Sequence, residues 1–275
     1  MNSTTAARRS IEQVFGELAR AKRIGLVAFI PAGYPNLATT SAVLPALEAG
    51  GASVIEVGFP FSDPIADGPT IQAAFTETLK AGLKVDDIFA AVARERENVS
   101  IPIVGMLSYS IVWRYGVKRF VAAAKSAGFD GLILPDLPPP EAQSVCGIVR
   151  AGGLDTTLLV APTTTPARRA EIAKLSSGFI YYLSVSGITG ERDQLPTDVA
   201  ANVRQLKSLT DRPVCVGFGI HRPQQIAQLA GVADGAIVGT AFVKQLTQHA
   251  ATGPAGTAER MTAYTRELLA LASYK

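Results

Sequence analysis

The chain has 275 residues, 48% of them hydrophobic and 18% charged, which is ample for a sizeable core and unlike a disordered polymer. Its net charge is only +3 and its basic residues are scattered, apart from Arg8-Arg9 and Arg168-Arg169, so neither composition nor pattern points to nucleic acid. No apolar run approaches the ~18–20 residues of a membrane span. The two cysteines, Cys146 and Cys215, lie far apart and read as free thiols of a reducing cytoplasm rather than as a disulfide.

The first nine residues have no apolar core behind them and do not read as a signal peptide. Ile11, Val14, Phe15, Leu18 and Ala19 then fall on one face of a helix. Short apolar runs follow, each ending in a polar or Gly/Pro-rich turn: Leu26–Ile30, Ser53–Gly58, Pro102–Leu107, Gly131–Leu134, Thr157–Val160, Phe179–Leu183, Pro213–Val216 and Gly235–Val238. Helical patterns separate them. One such pattern carries Ile71, Ala74, Phe75 and Leu79 and can end at Gly82. Continuous apolar strands alternating with helices imply a parallel sheet covered on both faces. Eight units in this length fit a closed (β/α)8 barrel, the TIM barrel, with an extra N-terminal helix, in one domain spanning residues 1–275. An open doubly wound sheet is the competitor, but the first unit lacks a G-x-G-x-x-G turn. Gly253-Pro254-Ala255-Gly256 reads as a loop before a last helix whose inner face carries Met261, Tyr264, Thr265, Leu268 and Leu269.

The stretch with most chemistry is Glu56-Val57-Gly58-Phe59-Pro60-Phe61-Ser62-Asp63-Pro64-Ile65-Ala66-Asp67-Gly68-Pro69-Thr70. Glu56 shares the parity of Val54 and Gly58, so the three face the same way. Facing the barrel axis, Glu56 would sit among apolar groups that raise its pKa and fit it to give and take protons near neutrality. A structural carboxylate bonded to a nearby donor is the alternative. Asp67, just before Gly68-Pro69, can be a helix N-cap, a role compatible with catalysis. Asp63 before Pro64 suits a turn. At the other end of the chain, Gly217-Phe218-Gly219-Ile220 and Gly239-Thr240 close the seventh and eighth strands. Barrels often hold phosphate there, through backbone N–H groups and a helix N-terminus; tight turns alone are the competing explanation. Ser186–Asp193 is polar and glycine-hinged, either a water-excluding lid or a plain exposed loop. Tyr181, on the strand before it, faces the mouth or fills the core. No lysine falls on a predicted strand, which argues against Schiff-base chemistry. Only His221 and His249 are present, without metal-ligand spacing, so no metal is expected. The chemistry expected is acid–base catalysis by carboxylates.

The run Glu56–Thr70 closely resembles the signature of the tryptophan synthase alpha subunit family. The resemblance extends to Phe29–Pro35, Ser184–Gly190, Gly217–Ile220 and Gly239–Ala241, and covers roughly Ile11 to Leu246. It implies a lyase that cleaves indole-3-glycerol phosphate to indole and glyceraldehyde 3-phosphate. Glu56 would be the general acid/base, protonating indole C3 and taking the glycerol hydroxyl proton. Asp67 would hold the indole N–H, and Thr189 would contact Asp67 on closure. By the same resemblance Gly190, Gly219, Gly239 and Thr240 hold the phosphate. Phe29, Leu107, Tyr109, Tyr181 and Phe218 line the indole pocket. Asp63 and the Pro-rich loop near Asp136 meet the beta subunit of an alpha2beta2 complex. That partner carries pyridoxal phosphate, and this chain carries no cofactor. His221-Arg222 departs from the family, where uncharged residues are usual. A partner-independent indole lyase, a non-catalytic barrel kept to bind a partner and another phosphate-binding barrel enzyme are the competing readings.

Overall fold

The computed structural model describes residues 7–63, 67–184, 196–217 and 219–273. Its elements run α1 (Ile11–Arg20), β1 (Gly25–Pro31), α2 (Leu37–Gly50), β2 (Val54–Gly58), α3 (Pro69–Lys80), α4 (Val85–Glu95), β3 (Ile103–Met106), α5 (Tyr109–Tyr115), α6 (Val117–Ala127) and β4 (Gly131–Ile133). They continue with α7 (Pro139–Ala151), β5 (Asp155–Val160), α8 (Pro166–Leu175), β6 (Ile180–Leu183), α9 (Val199–Lys207), β7 (Val214–Gly217), α10 (Pro223–Leu229), β8 (Gly235–Val238), α11 (Thr240–His249) and α12 (Gly253–Leu269). All eight strands are parallel and close in sequence order, with β8 pairing back onto β1. This is a TIM barrel, mixed α/β, preceded by one extra helix. Among the described residues no helix is long and apolar enough to cross a membrane.

The lower end of the barrel is closed by α1. Ser10 caps that helix reciprocally with Gln13: Ser10 Oγ accepts from Gln13 N at 3.1 Å, and Ser10 N donates to Gln13 Oε1 at 2.8 Å. Its buried face puts Ile11 and Phe15 into one cluster with the inward side chains Val27, Val54, Val104, Ile133 and Ile237, and with Phe179 just ahead of β6. The Phe15 and Phe179 ring centroids are 6.3 Å apart. Gly25 and Gly235 leave room for this plug: a Cβ at either would come within 3.0 or 3.2 Å of Phe15 Cε1. The inward parity of β2 therefore belongs to Val54, Glu56 and Gly58.

Two connections are more elaborate than one helix per unit. Gly82 (φ +80°) separates α3 from α4, and Gly116 (φ +92°) separates α5 from α6; both sit in the left-handed half of backbone space that glycine enters without a Cβ clash. The expected loop at Gly253–Gly256 is instead the first turn of α12. Pro254 fits there because the first helical N–H groups have no intrahelical acceptor to lose. The helix buries Met261, Tyr264, Thr265 and Leu268 as expected, leaves Leu269 half-buried against the core, and packs on α2, where Thr262 Oγ1 donates to the Ala46 carbonyl at 2.9 Å.

Gly50 sets how close α2 and α12 come. A Cβ there would stand 2.5 Å from Thr265 Cβ and 2.9 Å from the Thr262 carbonyl oxygen. Gly50→Val should push the helices apart and destabilise the chain by ~1–3 kcal/mol. Urea unfolding reads this directly, and an unchanged midpoint would show that the contact tolerates bulk.

Candidate active site

The upper end of the barrel is built from the loops after the strands. Glu56 is the middle residue of β2, in register with Phe29 of β1 and Val104 of β3. It is 1% exposed, and its Oε2 has no hydrogen-bond partner among the described residues. Burial, and then the Asp67 charge, push its pKa up to about 8. Asp67 lies on the loop after β2 and is partly exposed; burial alone pushes it up to about 6. It is not the helix cap that its position allowed. Gly68 is the N-cap of α3, without a side-chain cap bond, and Pro69 opens the first turn. At neutral pH the two groups therefore differ in state: Glu56 is mostly the acid, Asp67 mostly the carboxylate.

Phe29 and Tyr181 fill the space around these acids, and glycines make that possible. The Phe29 ring lies over Gly58, where a Cβ would approach it to 2.5 Å, and reaches Gly239, where one would lie 3.5 Å away. The Tyr181 ring lies over Gly217, where a Cβ would meet it at 2.8 Å. Burial, and then the charges of Glu56 and Asp67, hold the Tyr181 hydroxyl well above its ordinary pKa, so this phenol shares the site with both acids and stays neutral.

A cavity of about 360 Å³ opens beside Asp67. Phe29, Phe59, Phe61 and Phe75 form its aromatic side. Met106, Leu107, Pro135, Leu159, Ala161 and Leu183 extend the apolar lining, and Asp63, Asp67, Ser108, Asp136 and Thr164 are its polar members. Such a space suits a flat apolar ring with a polar edge. Of the residues singled out in the sequence, Phe29, Asp63, Asp67, Leu107 and Asp136 line it. Glu56 and Tyr181 are packed next to that lining. Tyr109 is not part of that lining; it is buried, and its hydroxyl donates to Glu141 Oε2. Asp136 is engaged within the chain, accepting from Ser108 Oγ at 2.6 Å and from Tyr109 N at 2.7 Å, which caps α5. Asp63, exposed, accepts from Ser62 Oγ at 2.6 Å.

Gly219 has φ +74° and its carbonyl meets His221 Nδ1 at 3.1 Å. Gly239 is the N-cap of α11, and Thr240, buried, is its first residue. These three sit at the ends of β7 and β8, around the rim from the cavity. Thr189, Gly190 and Phe218 lie outside the described residues. Sequence reasoning missed Phe59, Phe61, Phe75, Met106, Ser108, Pro135, Leu159, Ala161, Thr164 and Leu183. For Met106, Leu159 and Leu183 a signal existed: each is at a strand end with the inward parity of Val104, Thr157 or Tyr181. Among the described residues no group of three or more His, Cys, Asp or Glu could hold a metal.

Comparison with known proteins agrees with this geometry. A family profile described as tryptophan synthase alpha chain matches residues 15–273. The tryptophan synthase alpha chain of Rhodopirellula baltica is 46% identical over 239 residues, 86% of each chain. That of Chloroflexus aurantiacus is 44% identical over 263 residues, 94% of this chain and 97% of its own. A tryptophan synthase structure from Mycobacterium tuberculosis superimposes with a TM-score of 0.87 at 38% identity, covering 98% of this chain and 100% of the other. A mutant tryptophan synthase alpha subunit from Pyrococcus furiosus gives 0.81 at 36% identity, covering 90% and 98%. With a carboxylic acid buried in β2, a second acid on the next loop and these relatives over nearly its whole length, the chain belongs to the tryptophan synthase alpha chain family.

Proposed function

We propose that this chain, as one barrel domain over residues 1–275, cleaves indole-3-glycerol phosphate to indole and glyceraldehyde 3-phosphate as the alpha subunit of tryptophan synthase. The observation that carries the reading is the pairing of a fully buried Glu56 with a more open Asp67 beside an aromatic cavity. Protonated Glu56 gives its proton to indole C3, which turns that carbon into a leaving group. Asp67, ionised, accepts the indole N–H and stabilises the positive charge that spreads over the ring. The glycerol hydroxyl proton passes to the Glu56 carboxylate as the carbon–carbon bond breaks, so the acid is regenerated. Phe29, Leu107, Tyr109 and Tyr181 pack around the ring, by resemblance to the family. The phosphate rests on Gly219, Gly239 and Thr240, with the α11 N-terminus contributing partial positive charge. Thr189, Gly190 and Phe218 complete the set by resemblance to the family.

The partner is the beta subunit, which carries pyridoxal phosphate and consumes the indole; this chain needs no cofactor of its own. A groove of about 530 Å³, lined by Phe59, Phe61, Leu83, Ile88, Ile111 and Tyr115 among others, shares Phe59 and Phe61 with the cavity. Trp113, on α5, is 69% exposed. An apolar surface continuous with the cavity supports docking there, with Asp63 at its edge and the loop around Asp136 next to it. Two buried free thiols, Cys146 and Cys215, support a reducing cytoplasmic setting.

Indole release from indole-3-glycerol phosphate tests the reaction. Glu56→Gln should abolish it while substrate still binds, and Asp67→Asn should lower kcat far more than it raises KM; near-normal turnover by either removes that residue from the mechanism. The pH profile of kcat/KM should rise through about 6 as Asp67 ionises and fall through about 8 as Glu56 loses its proton. The same shift has a stability consequence. Folded Glu56 keeps its proton between pH 4.5 and about 8 while the unfolded chain releases it, so stability falls as pH rises across that window. Glu56→Gln should therefore be more stable than the parent at pH 8.5, on the order of 2–4 kcal/mol in urea unfolding. Trp113→Ala should leave partner-free turnover intact and reduce stimulation by the beta subunit; full stimulation would place the partner elsewhere.

A further inference from the structure

The loop between β5 and α8, residues 161–165, contributes Ala161 and Thr164 to the cavity and has no place in the mechanism above. It is unusually well tied. Thr164 N donates to the Ala161 carbonyl at 3.0 Å, and Ala161 N donates to Thr164 Oγ1 at 2.9 Å. The Thr164 carbonyl accepts from Arg169 Nε at 3.0 Å, and Arg169 Nη2 holds the Pro162 carbonyl at 3.1 Å. Arg169 is only 6% exposed, and its Nη1 is fixed in turn by Asn202 Oδ1 at 3.0 Å and Gln205 Oε1 at 2.5 Å on α9. Every backbone polar group of Thr164 is thus engaged, as is one lone pair of its hydroxyl. What remains is the hydroxyl proton, which has no acceptor among the described residues.

That proton stands out against the rest of the lining. Asp63, Asp67 and Asp136 are acceptors, and the Ser108 hydroxyl already donates to Asp136. Among the described lining side chains, Thr164 is the hydroxyl donor left uncommitted. Its position around the barrel also matters. On the cleavage reading, on which this inference rests, Asp67 after β2 holds the ring N–H and the ends of β7 and β8 hold the phosphate. The ring nitrogen and the glycerol chain both belong to the five-membered ring. The six-membered ring is then directed at the remaining arc, the ends of β3 to β6, within which Thr164 stands.

We propose that Thr164 is a specificity-determining residue for the six-membered ring: its hydroxyl donates to an acceptor substituent there, so the site takes ring-hydroxylated indoles as well as indole. A pre-fixed donor adds no ordering cost when such a group arrives, and an apolar wall at the same place would leave the substituent unpaired.

The test is run in the condensing direction, with indole, 5-hydroxyindole and 6-hydroxyindole each added to glyceraldehyde 3-phosphate. In this direction indole C3 bonds to the aldehyde carbon, the aldehyde oxygen takes a proton from Glu56, and the proton at C3 returns to Glu56. The readout is the ratio of kcat/KM for a hydroxyindole to that for indole. Thr164→Ser should keep the parent ratio. Thr164→Val should lower it about 10-fold for at least one hydroxyindole, the worth of one neutral hydrogen bond. Loss of the Ala161 tie in the same variant affects all three substrates together and leaves the ratio unmoved, so an equal loss or no loss would overturn the proposal. If Thr164→Val folds poorly, Thr164→Ala gives the same ratio. Failure of the parent to condense indole itself would overturn the cleavage reading instead.

Discussion

A carboxyl group walled into the middle of a parallel barrel strand has little means of keeping a charge. Glu56 has Phe29 and Val104 beside it in the sheet, and one of its oxygens lacks a hydrogen-bond donor among the described residues. Moving an ion out of water into such surroundings is costly, so the group keeps its proton to about pH 8. The negative charge on Asp67 reinforces the effect. Asp67 itself, nearer the opening, is shifted less and ionises first. Two chemically similar groups thus stand ready in opposite protonation states because one is deeper than the other. An acid and an ionised hydrogen-bond acceptor become available together at neutral pH without metal or cofactor.

The groups packed around Glu56 keep that acid out of water. Glycines at 58, 217 and 239 are where Phe29 and Tyr181 pass close to neighbouring strands, and these rings occupy the volume that water would otherwise take. The opposite end of the barrel has a different task. There Phe15 plugs the base, and Arg96, buried, donates to the Val99 and Ile101 carbonyls and pairs with Asp130 at 2.9 Å. Asp130 also accepts from Ile103 N, which fixes the start of β3. These contacts stabilise the scaffold far from the reacting atoms, so the mouth is free to carry an unpaired acid and an open cavity.

Much of this was legible from residue order. Each predicted strand is present within a residue or two, because short apolar runs between helical patterns admit few alternatives once both sheet faces must be covered. The period shared by Val54, Glu56 and Gly58 put the three on one face, but that this face is the inward one came from the packing of Val54 with Phe15. Other features were not legible. Tyr109 is an aromatic residue beside the predicted mouth, yet its hydroxyl is committed to Glu141, which lies on another helix. Asp67 looked like a cap, but Gly68 took that position. Gly253–Gly256 had loop composition and became the start of a helix because α2 offers α12 a surface to pack on. The cavity lining drew on loops after β3, β4 and β5 that carry no shared motif.

The sequence by itself determined the number and order of strands, an acid in β2 on the face shared with Val54 and Gly58, and a second acid on the following loop. These depend on local periodicity and on neighbours a few positions away. Only the closed barrel decided that the face carrying Glu56 is the inward one, that Glu56 lies deep and Asp67 shallow, that Phe29 and Tyr181 surround them, and that Arg169 on α8 fixes the Thr164 wall. Burial and electrostatic coupling depend on distance through space, and it is the return of β8 to β1 that brings residues far apart in the chain within that range.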